Sequence, residues 1–248
     1  MDRISTQALK GVPVVDRTEP DASRSAAERL SRGSVRSAPP RQRPYEDAIQ
    51  RGFEDLCSRV PSPDRLLFLG ATRTADTIRL PALNRHLCVD LEKRQVRVDA
   101  GGPAHSSWAV LAIHYLCADN PVPDARPVSF SYFHDCSSYL SVFGKRITER
   151  FLATSGRTAL QFARAGEQIG GIRVTGSGTG YRFDLLPCVP ITLIRYEGDD
   201  EVGPGASVIY RADAEHLLPA EDRVVAAELL LDALSGKPMI ENGGSHAQ

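Results

Sequence analysis

Four short apolar segments between residues 172 and 210 constrain the fold more than any other part of the sequence. They lie at 172–175, 181–185, 191–196 and 206–210, and turn-forming or acidic residues separate them. Segments of this length and composition are typical of β-strands. Because the connections are too short to hold the crossover that parallel strands need, the pattern predicts an antiparallel meander. The glycines at 176, 178 and 180 fit the turn of its first hairpin better than a dinucleotide-binding loop, since a strand follows them instead of a helix.

Helical periodicity surrounds this meander. Apolar residues three and four positions apart predict amphipathic helices, and a segment starting at Ser106 or Ser107 is apolar on most sides, as a helix in the core would be. The predicted helices span 45–57, 106–117, 138–154, 158–169 and 219–234. Further strands are predicted at 66–69, 77–80, 86–91, 95–98 and 128–133. Because helices and strands are segregated along the chain, we predict an α+β fold with one domain, in which helices pack on the C-terminal meander.

Composition divides the chain into an arm, a domain and a tail. Residues 23–44 are mostly Ser, Arg, Ala and Pro, a composition that buries too little apolar surface to offset the entropy of ordering. We therefore expect a disordered arm at 1–44, the α+β domain at 45–235 and a flexible tail at 236–248. Five arginines and no acid lie between Arg29 and Arg43. A solvated tail is the simpler interpretation of this arm, and a segment that docks on an acidic partner or on RNA is the alternative.

The charge balance narrows the class of partner. Thirty Lys and Arg residues against 31 Asp and Glu give a net charge of −1, which argues against a general nucleic-acid binder. No apolar run approaches the roughly 18 to 20 residues of a membrane span, so we expect no membrane partner. The five cysteines are scattered, and an odd number without close pairs is typical of a reducing compartment. We therefore expect a cytoplasmic protein.

Two groups of charged residues are candidates for a ligand-binding site. Arg146 and Arg150 are four residues apart on one face of a predicted helix, so both guanidinium groups can face one carboxylate or phosphate. His216, Glu221 and Asp222 lie at the start of the last predicted helix, where free backbone N–H groups favour an anion. These five residues predict a site for an anionic small molecule. In the structural alternative, an arginine pairs with Glu221 or Asp222 and holds the two helices together.

A metal site has weaker support. His134 and Cys136 lie in a loop after a predicted strand and are two residues apart, so both could face one ion. A zinc or iron site would need further ligands, and the candidates are Cys88, Cys117, His105 and His114. No closely spaced pair of cysteines completes the set, and buried thiols commonly serve as small apolar groups. We predict that any metal is bound weakly or not at all.

Several segments together resemble the domain-of-unknown-function 3786 family, a bacterial and archaeal group seen mainly in anaerobes. The segments are Tyr45-x-x-Ala48-Ile49, Ala-Ile-His-Tyr-Leu at 112–116, Val-Ser-Phe at 128–130, Tyr139-x-x-x-Phe143-x-x-Arg146, Phe162-x-x-Ala165, Pro-Ile-Thr-Leu-Ile-Arg-Tyr-Glu-Gly-Asp-Asp-Glu at 190–201, Ala-Ser-Val-Ile-Tyr at 206–210 and Leu217-Leu-Pro-x-Glu-Asp222. The resemblance implies a link to corrinoid or one-carbon metabolism, and in some members an iron–sulfur segment beside this domain. This sequence lacks the closely spaced cysteines of such a segment.

These observations favour a non-catalytic accessory or ligand-binding protein that binds an anionic small molecule, a cofactor or a partner enzyme. The resemblance connects that role with anaerobic cofactor or one-carbon metabolism. An enzyme that uses His216, Glu221 and Asp222, with or without a metal, is one alternative. An interaction module that acts through the basic arm is another.

Overall fold

The structure is a computed structural model that describes residues 43–99, 101–119 and 122–241. Its helices are α1 (Arg43–Ser58), α2 (Pro63–Phe68), α3 (Ser106–Cys117), α4 (Leu140–Phe143), α5 (Arg150–Ala153), α6 (Ala159–Gln168), α7 (Ala214–Leu217) and α8 (Ala220–Leu234). Its strands are β1 (Thr72–Thr74), β2 (Thr77–Ala82), β3 (Arg85–Asp90), β4 (Gln95–Val98), β5 (Pro127–Ser129), β6 (Ile172–Val174), β7 (Thr179–Leu186), β8 (Val189–Tyr196) and β9 (Gly205–Arg211). A π-helical segment, Gly144–Glu149, joins α4 to α5.

The strands form two antiparallel sheets. The first contains four strands in the order β1-β2-β3-β4, and the second contains five in the order β5-β9-β8-β7-β6. The second sheet includes the predicted meander of β6 to β9, and β5 extends it by pairing with β9. The predictions of an α+β fold and of an antiparallel meander are confirmed.

One predicted strand is wrong. Residues 66–69, expected to be extended, lie mostly in α2 and at its C-terminal cap. The Ser62 hydroxyl caps this helix by accepting a hydrogen bond of 3.2 Å from the Arg65 N–H, and Pro63 occupies the first turn, where a missing N–H costs nothing. Leu66 and Leu69 are nevertheless buried. Leu67, in contrast, is 78% exposed, so the four-residue apolar run identified neither the type of secondary structure nor the burial of all its residues.

The strand expected at 128–133 is shorter than predicted. It ends at Ser129, and a 3₁₀ turn follows at Phe130–Tyr132. Phe130 and Phe133 are both buried, although an extended strand places residues three apart on opposite faces. The turn brings both rings into the core.

The core lies between the inner face of the five-stranded sheet and the helices. Along β7 and β8 the buried side chains alternate with more exposed ones, as expected for a sheet with one covered face. Phe162 on α6 makes edge-to-face contacts with Phe151 at 4.8 Å and with Tyr181 at 5.3 Å between ring centroids. Helix α8 has ten buried residues and packs against both α3 and the π-helical segment, so it is a central element of the core.

The described structure begins slightly before residue 45 and continues past residue 235, the two bounds expected for the domain. The arm expected to be disordered at 1–44 lies outside the described residues, except for its last two residues, which begin α1. Residues 239 and 240 of the expected tail form backbone contacts with residues 104 and 105. Ile240 forms a β-bridge with Ala104, and the His105 N–H donates to the Met239 carbonyl at 2.7 Å. Residues 242–248 lie outside the described residues. Among the described helices, none has the length and apolar character that crossing a membrane requires.

Candidate functional site

A pocket of about 300 Å³ lies between α1, α3 and α8, and we call it the α1–α3–α8 pocket. Its lining residues are Tyr45 and Ala48 from α1, Ser107, Val110 and His114 from α3, and Glu221, Asp222 and Val225 from α8. The three α3 residues are three and four positions apart, so they lie on one helix face. On α8, Val225 is three positions after Asp222 and four after Glu221, so these residues also share a face. This volume is at the lower end of the range for small-molecule sites.

Helix α1 can reach the pocket because it packs closely on α3 at a glycine. A Cβ atom at Gly52 would lie 2.7 Å from the Ile113 Cγ2 atom, so a larger residue would force the two helices apart. The next residue of α3 is His114, whose ring Cδ2 lies 4.0 Å from the same position. The close helix contact therefore also sets the position of the histidine.

His114 and Asp222 form a hydrogen-bonded pair in the pocket wall. The His114 Nδ1–H donates to the Asp222 Oδ2 at 2.6 Å, and the side chain of Asp222 is only 8% exposed. The bond to Asp222 raises the pKa of His114 above its ordinary value of 6.5, although partial burial opposes this effect. The other ring nitrogen, Nε2, has no hydrogen-bond partner among the described residues. The carboxylate therefore fixes the orientation of the imidazole and leaves one nitrogen available to a ligand.

The pocket combines this polar pair with apolar walls. Ala48, Val110 and Val225 provide aliphatic surface, and Tyr45 provides a partly exposed ring. Glu221 is exposed beside Asp222, so two carboxylates and one imidazole line the pocket. Even with a charged His114, the lining carries an excess of one negative charge. This balance favours a ligand with a cationic or hydrogen-donating group.

Arg146 and Arg150, both predicted site residues, contact α8 outside the pocket and nearer the C-terminal end of the helix. Arg146 donates from Nε and Nη2 to the two carboxylate oxygens of Glu228, each at 2.5 Å, and Arg150 forms an ion pair with Asp232. The bond to Glu228 raises the pKa of Arg146. The structural alternative placed such pairs at Glu221 or Asp222, whereas the partners are Glu228, about two turns beyond Glu221 on α8, and Asp232, about three turns beyond it. The two pairs hold the π-helical segment and α5 against α8.

The structure brings two of the five predicted residues together and separates the others. Glu221 and Asp222 lie in the α1–α3–α8 pocket, whereas His216 is exposed on α7 and does not line it. His114 was considered only as a possible further metal ligand and was not among the predicted ligand-binding residues. Its partner Asp222 is 108 residues away, so no local motif connects them. The only available signal was a histidine in an otherwise apolar helix.

The two candidate metal ligands face different environments. The His134 side chain is 88% exposed and its Nδ1 is 3.1 Å from the Glu215 Oε1, whereas Cys136 is buried in the core. Cys57, Cys88, Cys117 and Cys188 are also free thiols, and burial raises the pKa of Cys117 to about 11. In the part of the chain that the structure describes, no group of three or more His, Cys, Asp or Glu side chains is placed to hold a metal ion.

Asp135, between those two residues, anchors the start of α8. One carboxylate oxygen accepts a hydrogen bond from the Ala220 N–H at 2.9 Å, and the other forms an ion pair with Arg223. Arg223 is fully buried, donates to the Leu218 carbonyl at 2.5 Å, and has its guanidinium carbon 4.1 Å from the centroid of the Phe133 ring. These contacts fix the helix turn that carries Asp222.

Comparison with known proteins identifies the family. A family model described as a domain of unknown function (DUF3786) matches residues 64–233, from α2 into the last turn of α8. No curated protein and no solved structure matches the chain. The matched region includes the α3 and α8 walls of the pocket and covers more than half of the chain. The chain therefore belongs to the DUF3786 family.

Proposed function

We propose that this protein is a non-catalytic, cytoplasmic accessory protein that binds a small molecule in the α1–α3–α8 pocket. The observation that carries this proposal is the His114–Asp222 pair, which holds an imidazole in one orientation with Nε2 unbonded by the described residues. A few fixed polar groups beside apolar wall residues are the usual arrangement of a small-molecule site.

The chemistry of the lining defines the ligand class. The arginines that suggested an anionic ligand are each paired with a carboxylate of α8. Glu221 and Asp222 instead favour a cationic amine or a neutral donor, and the Tyr45 ring adds an aromatic surface for such a group. The ligand would place an apolar body against Val110 and Val225. A role in cofactor or one-carbon metabolism, together with a partner enzyme, would agree with the resemblance noted above.

Three probes that differ in charge test this proposal. Benzylamine, benzyl alcohol and benzoate have similar shapes and are cationic, neutral and anionic. In ligand-detected NMR with the full chain, benzylamine should bind best and benzoate least. The pocket-filling variant Val225→Phe should remove benzylamine binding. Val202→Phe adds the same group at an exposed loop position and should leave binding unchanged. Equal binding by the two variants, or no saturable binding by any probe, would contradict the proposal.

An enzyme is the second candidate, and the same pair supports it. A histidine oriented by a carboxylate through Nδ1 can exchange a proton at Nε2, which is the arrangement of a general base. In this alternative His114 takes the place first considered for His216, and Asp222 orients it. An enzyme would convert its bound compound. His114→Gln would then abolish conversion while retaining much of the binding, whereas a binding protein would show no conversion in either form.

A further inference from the structure

A second cavity lies on the outer face of the five-stranded sheet, the face opposite the core. This outer-face groove has a volume of about 750 Å³ and shares no lining residue with the α1–α3–α8 pocket. Its floor consists of Pro190 and Thr192 on β8 and Ile209 on β9. All three are half-buried. The floor is thus more apolar than the solvated face of an antiparallel sheet usually is.

The wall of the groove is fixed by backbone hydrogen bonds. The pairing of β7 with β8 shifts register between Asp184 and Leu186, and Pro190, the partner of Asp184, has no N–H to donate. The Leu83 N–H, from the turn between β2 and β3, instead donates to the carbonyls of Asp184 and Leu185, each at 3.2 Å. These bonds join the two sheets at one edge of the groove, so the cavity is formed in the absence of a ligand.

Leu83 has an unusual backbone conformation at this junction. Its φ angle is 51°, in the left-handed region that residues other than glycine rarely adopt, and its side chain lines the groove. A positive φ is what the first residue of a two-residue hairpin turn requires, and Ala75 has the same φ at the corresponding position of the turn between β1 and β2. The turn at Leu83, the register shift and the proline all occur at the same edge of the cavity.

Two arginines flank the floor. Arg182 lies on β7 and Arg211 on β9, with β8 between them, so the strands that carry them are about 10 Å apart. Arg182 Nε is 3.3 Å from the Asp184 Oδ1, and Arg211 Nε donates to the buried Asp213 at 3.0 Å. Two N–H groups of Arg211 are used by Asp213, and Arg182 forms a half-exposed ion pair with Asp184, so both guanidinium groups keep further N–H donors. The lining itself contains two guanidinium groups and one carboxylate, and Asp213 lies outside it.

We propose that the outer-face groove binds a small organic anion with a flat apolar body. The body lies on Pro190, Thr192 and Ile209, and the anionic group accepts hydrogen bonds from the guanidinium of Arg182. Arginine matches the planar geometry of carboxylate and sulfonate oxygens. This site is separate from the α1–α3–α8 pocket and does not depend on the function proposed for it.

The fluorescent dye 8-anilinonaphthalene-1-sulfonate has the required features, since it carries one sulfonate on an aromatic body. We expect saturable binding of this dye to the full chain, and Arg182→Gln should weaken it by about fivefold or more. Thr192→Phe, which fills the floor, should abolish binding. Arg164→Gln is the matched control, because Arg164 is exposed on α6 and does not line the groove. Its dissociation constant should stay within about twofold of the wild-type value.

A neutral dye separates the role of charge from general apolar binding. Arg182→Gln should leave the binding of Nile red unchanged, because this dye has no anionic group. Arg182 is half-exposed and pairs with an exposed carboxylate, so the variant keeps its fold, and its circular dichroism spectrum verifies this. Equal affinity of the sulfonate dye for the Arg182 and Arg164 variants would overturn the proposal, as would the absence of saturable binding to the wild-type chain.

Discussion

Replacing Asp135 by alanine should destabilise the protein far more than replacing another loop residue of similar exposure. The Asp135 side chain is 44% exposed, yet it accepts a hydrogen bond from the Ala220 N–H and pairs with the buried Arg223. Loss of an N-terminal helix cap costs about 1 kcal/mol. Loss of a charged hydrogen bond costs about 1.5 to 3 kcal/mol, and partial exposure places this one toward the lower value. The expected total is about 2 to 3 kcal/mol.

Urea unfolding followed by circular dichroism measures this change. Asp135→Asn keeps a side-chain acceptor for the Ala220 N–H but loses the charge, so it should cost about 1 to 2 kcal/mol. Asp200→Ala removes an exposed carboxylate from a loop and should change the free energy of unfolding by less than about 0.5 kcal/mol. If Asp135→Ala is as stable as Asp200→Ala, the contacts of Asp135 do not anchor α8 and this reasoning is wrong.

Three further predictions concern the helices around the pocket. The pair of His114 with Asp222 stabilises the fold fully below pH 6.5, and its contribution is lost as the pH rises through the raised pKa of His114. In urea unfolding, the free energy of unfolding of His114→Gln should therefore be closest to that of the wild type at alkaline pH. Arg146→Gln should lower stability by less than about 1 kcal/mol and leave benzylamine binding unchanged in NMR, because its ion pair is half-exposed and lies outside the pocket. Gly52→Ala should cost about 1 to 3 kcal/mol in thermal unfolding because of its contact with Ile113, whereas Gly144→Ala has open space and should not destabilise.

Local patterns were sufficient to predict most of the fold. The short turn-linked segments at 172–210 determined the antiparallel sheet, because chain length alone excludes parallel connections. The amphipathic pattern of residues 45–57 likewise predicted α1. The failure at 66–69 has a physical reason. Four apolar residues are compatible with a buried strand or a short helix, and the decision came from the cap at Ser62 and the proline that follows it.

The candidate site was less predictable, because it depends on contacts between residues distant in sequence. The start of α8 was recognisable from its acidic first turn, which contains Glu221 and Asp222. The residue that completes the pair, His114, lies in a helix whose other residues are almost all core. The outer-face groove was not visible at all, since it arises from the junction of two sheets that only the three-dimensional structure brings together.

Native mass spectrometry of the chain purified anaerobically from its own host tests the central claim most directly. If the α1–α3–α8 pocket holds a ligand, the wild-type protein should carry a small molecule as added mass. Val202→Phe should retain this mass, and Val225→Phe should lose it because the new ring fills the α1–α3–α8 pocket. A wild-type protein without added mass, or the same added mass in Val225→Phe, would contradict the account.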